Sequence, residues 1–140
     1  METQNLWPEF TIDKTKSPKA ILKEQAGYLM KKTNNVLSAE VETVQAGNEQ
    51  IIQHFYIVAP AINNYRYMLF SVRHKIIGYY PVTVVSGIEI FNEEDGDSFT
   101  LGIPMEAKNE EEFIKSLSTV FNDPDNTRII SSLLSQSLAE

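Results

Sequence analysis

The chain has 140 residues, 42% of them apolar and 22% charged, which suits one globular domain with a core of its own. It contains no cysteine, which excludes a disulfide frame, a thiolate metal site and a cysteine nucleophile. Its net charge of −7 argues against a nucleic-acid binder, whose affinity comes mainly from neutralising phosphates.

The charge is unevenly spread. Residues 1–80 carry nine Lys and Arg against seven Asp and Glu, a net of +2, whereas residues 89–140 carry three against twelve, a net of −9. Such polarity steers a basic partner toward the C-terminal part, and it is equally the mark of a solvated acidic surface. The first residues, METQNLWPEFTIDKTKS, lack the basic-then-apolar order of a secretory signal. No apolar run approaches the roughly 20 residues needed to span a bilayer. A cytoplasmic protein without membrane or nucleic-acid partners is expected.

Residues 1–16 read as an irregular arm in which Trp7, Phe10 and Ile12 are expected to drop onto the domain as anchors. Ser17-Pro18 is a helix start, since serine caps well and proline lacks only an N–H that would be unpaired there. Ile21, Leu22, Ala26, Leu29 and Met30 then fall on one stripe, Lys31 and Lys32 suit the negative helix end, and Asn34 or Asn35 suits a left-handed stop, so a helix is predicted over 18–33. Val36 to Val44 alternates, with Leu37, Ala39, Val41 and Thr43 on one side and Ser38, Glu40 and Glu42 on the other. A turn centred on Gly47-Asn48 leads to an antiparallel return over 51–59. After the break at 60–64, Tyr65 to Val72 is a third strand. Plain alternation puts Met68, Phe70 and Val72 on the core side and Tyr65, Tyr67 and Leu69 on the other, where they need a cover from the Trp7 arm, a second subunit or a partner.

Arg73-His74-Lys75 reads as a polar connection. Tyr79 to Ile90 is a fourth strand, with Pro81 at its start and Gly87 as a candidate bulge. The acidic turn 92–97 precedes a short fifth strand through Phe99, Leu101 and Ile103, ending before Pro104. Asn109 opens a helix with Glu112 in capping-box position and three glutamates in its first turn. Its stripe is Phe113, Ile114, Leu117, Val120 and Phe121. Asp123-Pro124 opens another helix, with Ile129, Ile130, Leu133, Leu134 and Leu138 as its stripe. The whole chain, 1–140, is thus expected to be one α+β domain: an N-terminal helix, an antiparallel four- to five-stranded meander and two C-terminal helices packed on one face of the sheet.

Catalytic patterns are weak. His54 and His74 become near neighbours if strands two and three meet at opposite ends, and with Glu40 or Glu42 they would make a metal site, but the close ligand spacing of such sites is missing. Ser71 and Ser86 lack the Gly-x-Ser-x-Gly elbow of a serine hydrolase. Glu40 and Glu42 share a strand face as a carboxylate pair does, and as an ordinary solvent face also does. The turn at 92–97 places Phe91 and Gly102 where a calcium loop needs ligands. The six glycines form no phosphate-binding fingerprint, so neither a cofactor nor a metal is expected. What remains is a tyrosine and arginine set of the kind enriched at protein interfaces. Its candidate members are Tyr56, Tyr65, Arg66, Tyr67, Leu69, Arg73, His74, Tyr79 and Tyr80.

The phrases Ser17-Pro18-Lys19-Ala20-Ile21-Leu22-Lys23-Glu24-Gln25-Ala26, Phe55-Tyr56-Ile57-Val58-Ala59-Pro60-Ala61, Tyr65-Arg66-Tyr67 and Tyr80-Pro81-Val82 together resemble a group of small uncharacterised bacterial α+β proteins over roughly residues 17–85. The resemblance implies a bacterial cytoplasmic setting and transfers no activity and no site residue. The sequence is therefore expected to encode a non-enzymatic protein–protein interaction domain, accessory or immunity-like, binding a protein partner or a second copy. The alternative is a small-ligand binder or hydrolase using the tyrosine and histidine face of the sheet.

Overall fold

A computed structural model describes residues 2–91 and 98–139, with side chains outside 87–103. Helix α1 (Pro18–Lys32) leads into five strands, β1 (Ser38–Gly47), β2 (Gln50–Ala59), β3 (Tyr65–Lys75), β4 (Val82–Phe91) and β5 (Ser98–Ala107), followed by α2 (Glu110–Phe121) and α3 (Pro124–Leu138). The strands form one antiparallel sheet in sequence order, β1-β2-β3-β4-β5. This is the α+β meander that the sequence pattern anticipates.

The helix starts follow from their caps. The Ser17 hydroxyl accepts from the Ala20 amide at 3.1 Å, and Asp123 accepts from Asp125 and Asn126 at 2.9 and 3.4 Å. Asn109 accepts from Glu112 at 2.9 Å, while the Glu112 carboxylate takes the Lys108 amide, one residue before the partner of an ordinary capping box. Asn34 and Asn35 both take left-handed backbone after α1, with φ of 52° and 64°.

All three helices cover the same face of the sheet. Ile21, Leu22 and Ala26 of α1, Phe113, Leu117 and Val120 of α2, and Leu133 of α3 join Phe55, Ile57, Leu69, Phe70, Val72, Val82 and Val84 in one buried cluster. Phe55 and Phe70 stack across β2 and β3 at 4.9 Å, and Phe121 meets them at 5.8 and 5.6 Å. Met30, Ile114 and Leu138, placed on the helix stripes by periodicity, are instead 38%, 52% and 62% exposed, because each sits at the margin of its stripe.

Several strand expectations are corrected. The β1–β2 turn is centred on Asn48-Glu49, whose φ of 50° and 59° suit a two-residue hairpin, while Gly47 at φ 76° absorbs a register shift between Gln45 and Gly47. Gly87 pairs with Gly102 in unbroken register, so no bulge lies there in the β4–β5 ladder. β5 runs through Pro104 to Ala107. Proline is tolerated because β5 is an edge strand, where a missing donor leaves no ladder bond broken. β3 likewise continues through Arg73-His74-Lys75 rather than turning there. The acidic turn at 92–97 lies outside the described residues.

The largest correction is within β3. The β2–β3 register steps from Phe55↔Phe70 to Tyr56↔Met68, so Leu69 is an extra residue. Such a bulge breaks the alternation of faces. Tyr67, Leu69, Phe70 and Val72 consequently all face the helices, Leu69 with 2% exposure, and Met68 turns to the opposite side. Plain alternation had given Met68 to the core and Leu69 to the open side. The expected cover is also absent: Trp7, Phe10 and Ile12 are 76%, 73% and 95% exposed, so the arm does not anchor on its own domain. The helices already occupy the core face, and the arm has no ladder partner to hold it.

Candidate functional site: the open face of the sheet

The face away from the helices is built from cross-strand rows. Ser38, Val58 and Arg66 form one row, and Glu40, Tyr56 and Met68 the next. Glu42, His54, Ser71 and Val85 form a third, and Val44, Ile52, Arg73 and Thr83 a fourth. Directly opposed side chains on one face lie within contact distance, so these rows are the units that set its chemistry.

Arg66 is the organising charge. Its guanidinium sits 4.1 Å from the Tyr56 ring centroid, its Nε lies 3.2 Å from Glu40, and its Nη2 lies 3.4 Å from Glu42. All three charged groups are about half exposed, so each pair contributes at most about 1 kcal/mol in water. Their combined effect is positional: the guanidinium is held over the Tyr56 ring with its nitrogens toward Glu40 and Glu42 of β1. At the other end of β3, Arg73 reaches Gln50 at 3.5 Å.

Between these arginines, His54 Nδ1 lies 2.7 Å from Ser71 Oγ. With Nδ1 protonated, His54 donates to Ser71, whose own proton is then directed to Met68 Sδ at 3.6 Å. Glu42 stands opposite His54 in the ladder but is committed to Arg66, and among the described residues no carboxylate is paired with the imidazole. Ser71 lies within a regular strand rather than on an exposed elbow.

β3 and β4 are paired only over Ser71↔Val85, Val72↔Val84 and Arg73↔Thr83. Beyond Val85 the described β4 ladder is with β5 alone, so the sheet forks beside Phe70. A cavity of about 200 Å³ opens at this fork, lined by Ile52, His54, Met68, Ser71 and Val85 among others.

The residues singled out from the sequence divide between the two faces. Tyr56 and Arg66 meet on the open one, and Arg73 lies toward its other end. Tyr65 and Tyr67 pair with Ala59 and Ile57 and so face the helix side, Tyr65 at the sheet end with 48% exposure. Leu69 belongs to the core. Tyr80 packs edge-on against Phe113 at 6.4 Å, and Tyr79 meets His74 at 6.1 Å. His74 is 4% exposed, its Nε2 3.2 Å from the Gln53 amide nitrogen and its Nδ1 2.8 Å from the Lys75 carbonyl oxygen. Since the Gln53 amide donates, Nε2 accepts and Nδ1 carries the proton. Gln53 in turn accepts from Thr43 at 2.7 Å.

The two histidines are therefore not neighbours. His54 pairs with Ser71 and His74 with Ile51, three residues apart along β2, which puts them on opposite faces. Among the described residues no group of three or more His, Asp or Glu is placed to hold a metal ion. Met68 is the open-face residue that alternation missed, because a bulge leaves no trace in a hydrophobic pattern when both residues at it, Leu69 and Phe70, are apolar. No helix among the described residues is long and apolar enough to cross a membrane. No protein-family model matches the chain, and no curated protein or solved structure is significantly similar to it.

Proposed function

We propose that the chain is a non-enzymatic protein–protein interaction domain, of accessory or immunity-like bacterial type, that docks its partner on the open face of the sheet. One observation carries this reading: every helix among the described residues lies on the other side, and none of them covers the patch of Tyr56, Arg66, Met68, Ile52 and Val44. Tyr, Arg and Met are enriched at interfaces, and an arginine already stacked on a tyrosine loses little freedom on docking. The cytoplasmic setting belongs to the same proposal. A benzophenone side chain placed at Met68, with a control at Lys115 on the exposed side of α2, tests it in the native cell. A discrete adduct at Met68 and none at Lys115 is expected, and its mass distinguishes a second copy from another protein. No adduct at Met68, or equal adducts at both positions, contradicts the reading.

The hydrolase or small-ligand alternative is favoured by the His54–Ser71 hydrogen bond. Against it, the imidazole has no orienting carboxylate among the described residues, and the cavity of about 200 Å³ beside it is below the roughly 300–1,000 Å³ of ordinary ligand sites. A fluorophosphonate probe is expected to leave Ser71 unlabelled. Stoichiometric labelling there, lost on His54→Ala, would establish the alternative.

A further inference from the structure

A second apolar surface lies on the helical side, away from the open face. Between α1 and α3 a cleft of about 520 Å³ reaches down to the sheet. Phe55, Leu69, Phe121, Ile130 and Leu134 line it, and Lys32 is the one charged side chain among its described lining residues. Nothing from the arm enters this cleft. The arm instead holds Leu6, Trp7, Phe10 and Ile12 at 82%, 76%, 73% and 95% exposure.

So much exposed aromatic and aliphatic surface on one short segment marks an interaction site. The chain thus carries both halves of a contact, an unburied aromatic segment and an apolar cleft, and within one copy no arm residue lines the cleft. The charges are complementary as well, since Glu9 lies between Trp7 and Phe10 and the cleft contributes Lys32. Near the base of the arm Lys16 lies 2.8 Å from Glu24 of α1, and residues 2–13 extend beyond that contact.

We infer that two copies of this chain associate by exchanging arms, with Trp7 and Phe10 of each entering the α1–α3 cleft of the other. A two-fold arrangement makes the contact reciprocal, so each copy fills one cleft and has one cleft filled, which closes the assembly at a dimer. The cleft is the better receptor than the open face for rings, being concave and floored by side chains already buried in the core.

Trp7 is the sole tryptophan, so its fluorescence reports arm docking without labelling. The test follows Trp7 emission and sedimentation mass of the full chain over a dilution series. The expected result is emission that moves to the blue as the mass doubles, both lost in Phe10→Ser, whose side chain lies outside the core and whose loss leaves folding intact. Glu9→Lys and Lys32→Glu are each expected to weaken association about ten-fold, the scale of the two surface ion pairs a reciprocal contact contains, and the double reversal to restore it. A monomer with red emission at every concentration overturns the inference. So does blue emission already present in the monomer, which would place the arm on its own domain, and so does a dimer indifferent to Phe10→Ser.

Discussion

The Tyr80 hydroxyl is buried against Phe113 with no hydrogen-bond partner among the described residues. Burial, followed by the nearby Glu110 carboxylate, raises its pKa from 10.0 to about 12. The folded state therefore holds this proton in a range where the unfolded chain has released it. Stability is unaffected below the unfolded value and declines as pH climbs from there toward about 12. Tyr80→Phe removes an orphaned polar group, so it is expected to leave stability unchanged or raise it by up to about 1 kcal/mol at neutral pH, and to flatten the alkaline decline. Urea titrations at neutral and alkaline pH read both effects; a loss of more than about 1 kcal/mol would mean the hydroxyl has a partner. The Thr43–Gln53–His74 chain makes the opposite case, a buried polar group that is satisfied. Gln53→Leu leaves His74 Nε2 unpaired and is expected to cost about 1–3 kcal/mol, whereas Gln53→Leu with His74→Phe recovers much of that loss. Additive losses in the double variant would show that the two side chains are independent.

At the scale of elements, the bulge at Leu69 decides which β3 side chains matter for the core. Leu69→Ala removes a fully packed side chain and is expected to cost about 2–5 kcal/mol. Met68→Ala, on the open face, is expected to cost less than about 1 kcal/mol. The reverse ranking in a thermal or denaturant series would restore plain alternation. Much of the element order was legible in the sequence because each helix has a local, physical start signal: Ser17-Pro18, Asn109 with Glu112, and Asp123-Pro124. The position of β1 and its face assignment were legible because Glu40 and Glu42 contrast with Ala39 and Val41. β3 was not, because Tyr65 to Val72 carries bulk on every residue apart from Ser71, and its two polar residues, Arg66 and Ser71, stand five apart and so point to opposite faces under plain alternation. His74 looked like a connection residue since nothing local announces that Gln53, 21 residues earlier, satisfies it. Arg66 and Tyr56 could be named as interface types, but their stacking depends on the β2–β3 register, which only the tertiary pairing sets.

At the scale of the molecule, one sheet serves two roles. Its inner face anchors three helices, and its outer face presents Tyr56, Arg66, His54, Ser71 and Met68, which no helix among the described residues covers. If the proposed docking holds, the mixed charge of that face, with Arg66 shared between Glu40 and Glu42, makes the partner's on-rate the salt-sensitive quantity. The whole functional account rests on which side chains of β3 point outward. Because the natural chain has no cysteine, single cysteines at Met68, Leu69, Phe70 and Ser71 can be read one at a time by maleimide labelling of the folded protein. The account predicts rapid labelling at 68 and 71 and protection at both 69 and 70. Labelling at 69 and 71 with protection at 68 and 70 would contradict it, returning Met68 to the core and leaving the open face without the residue on which its proposed role depends.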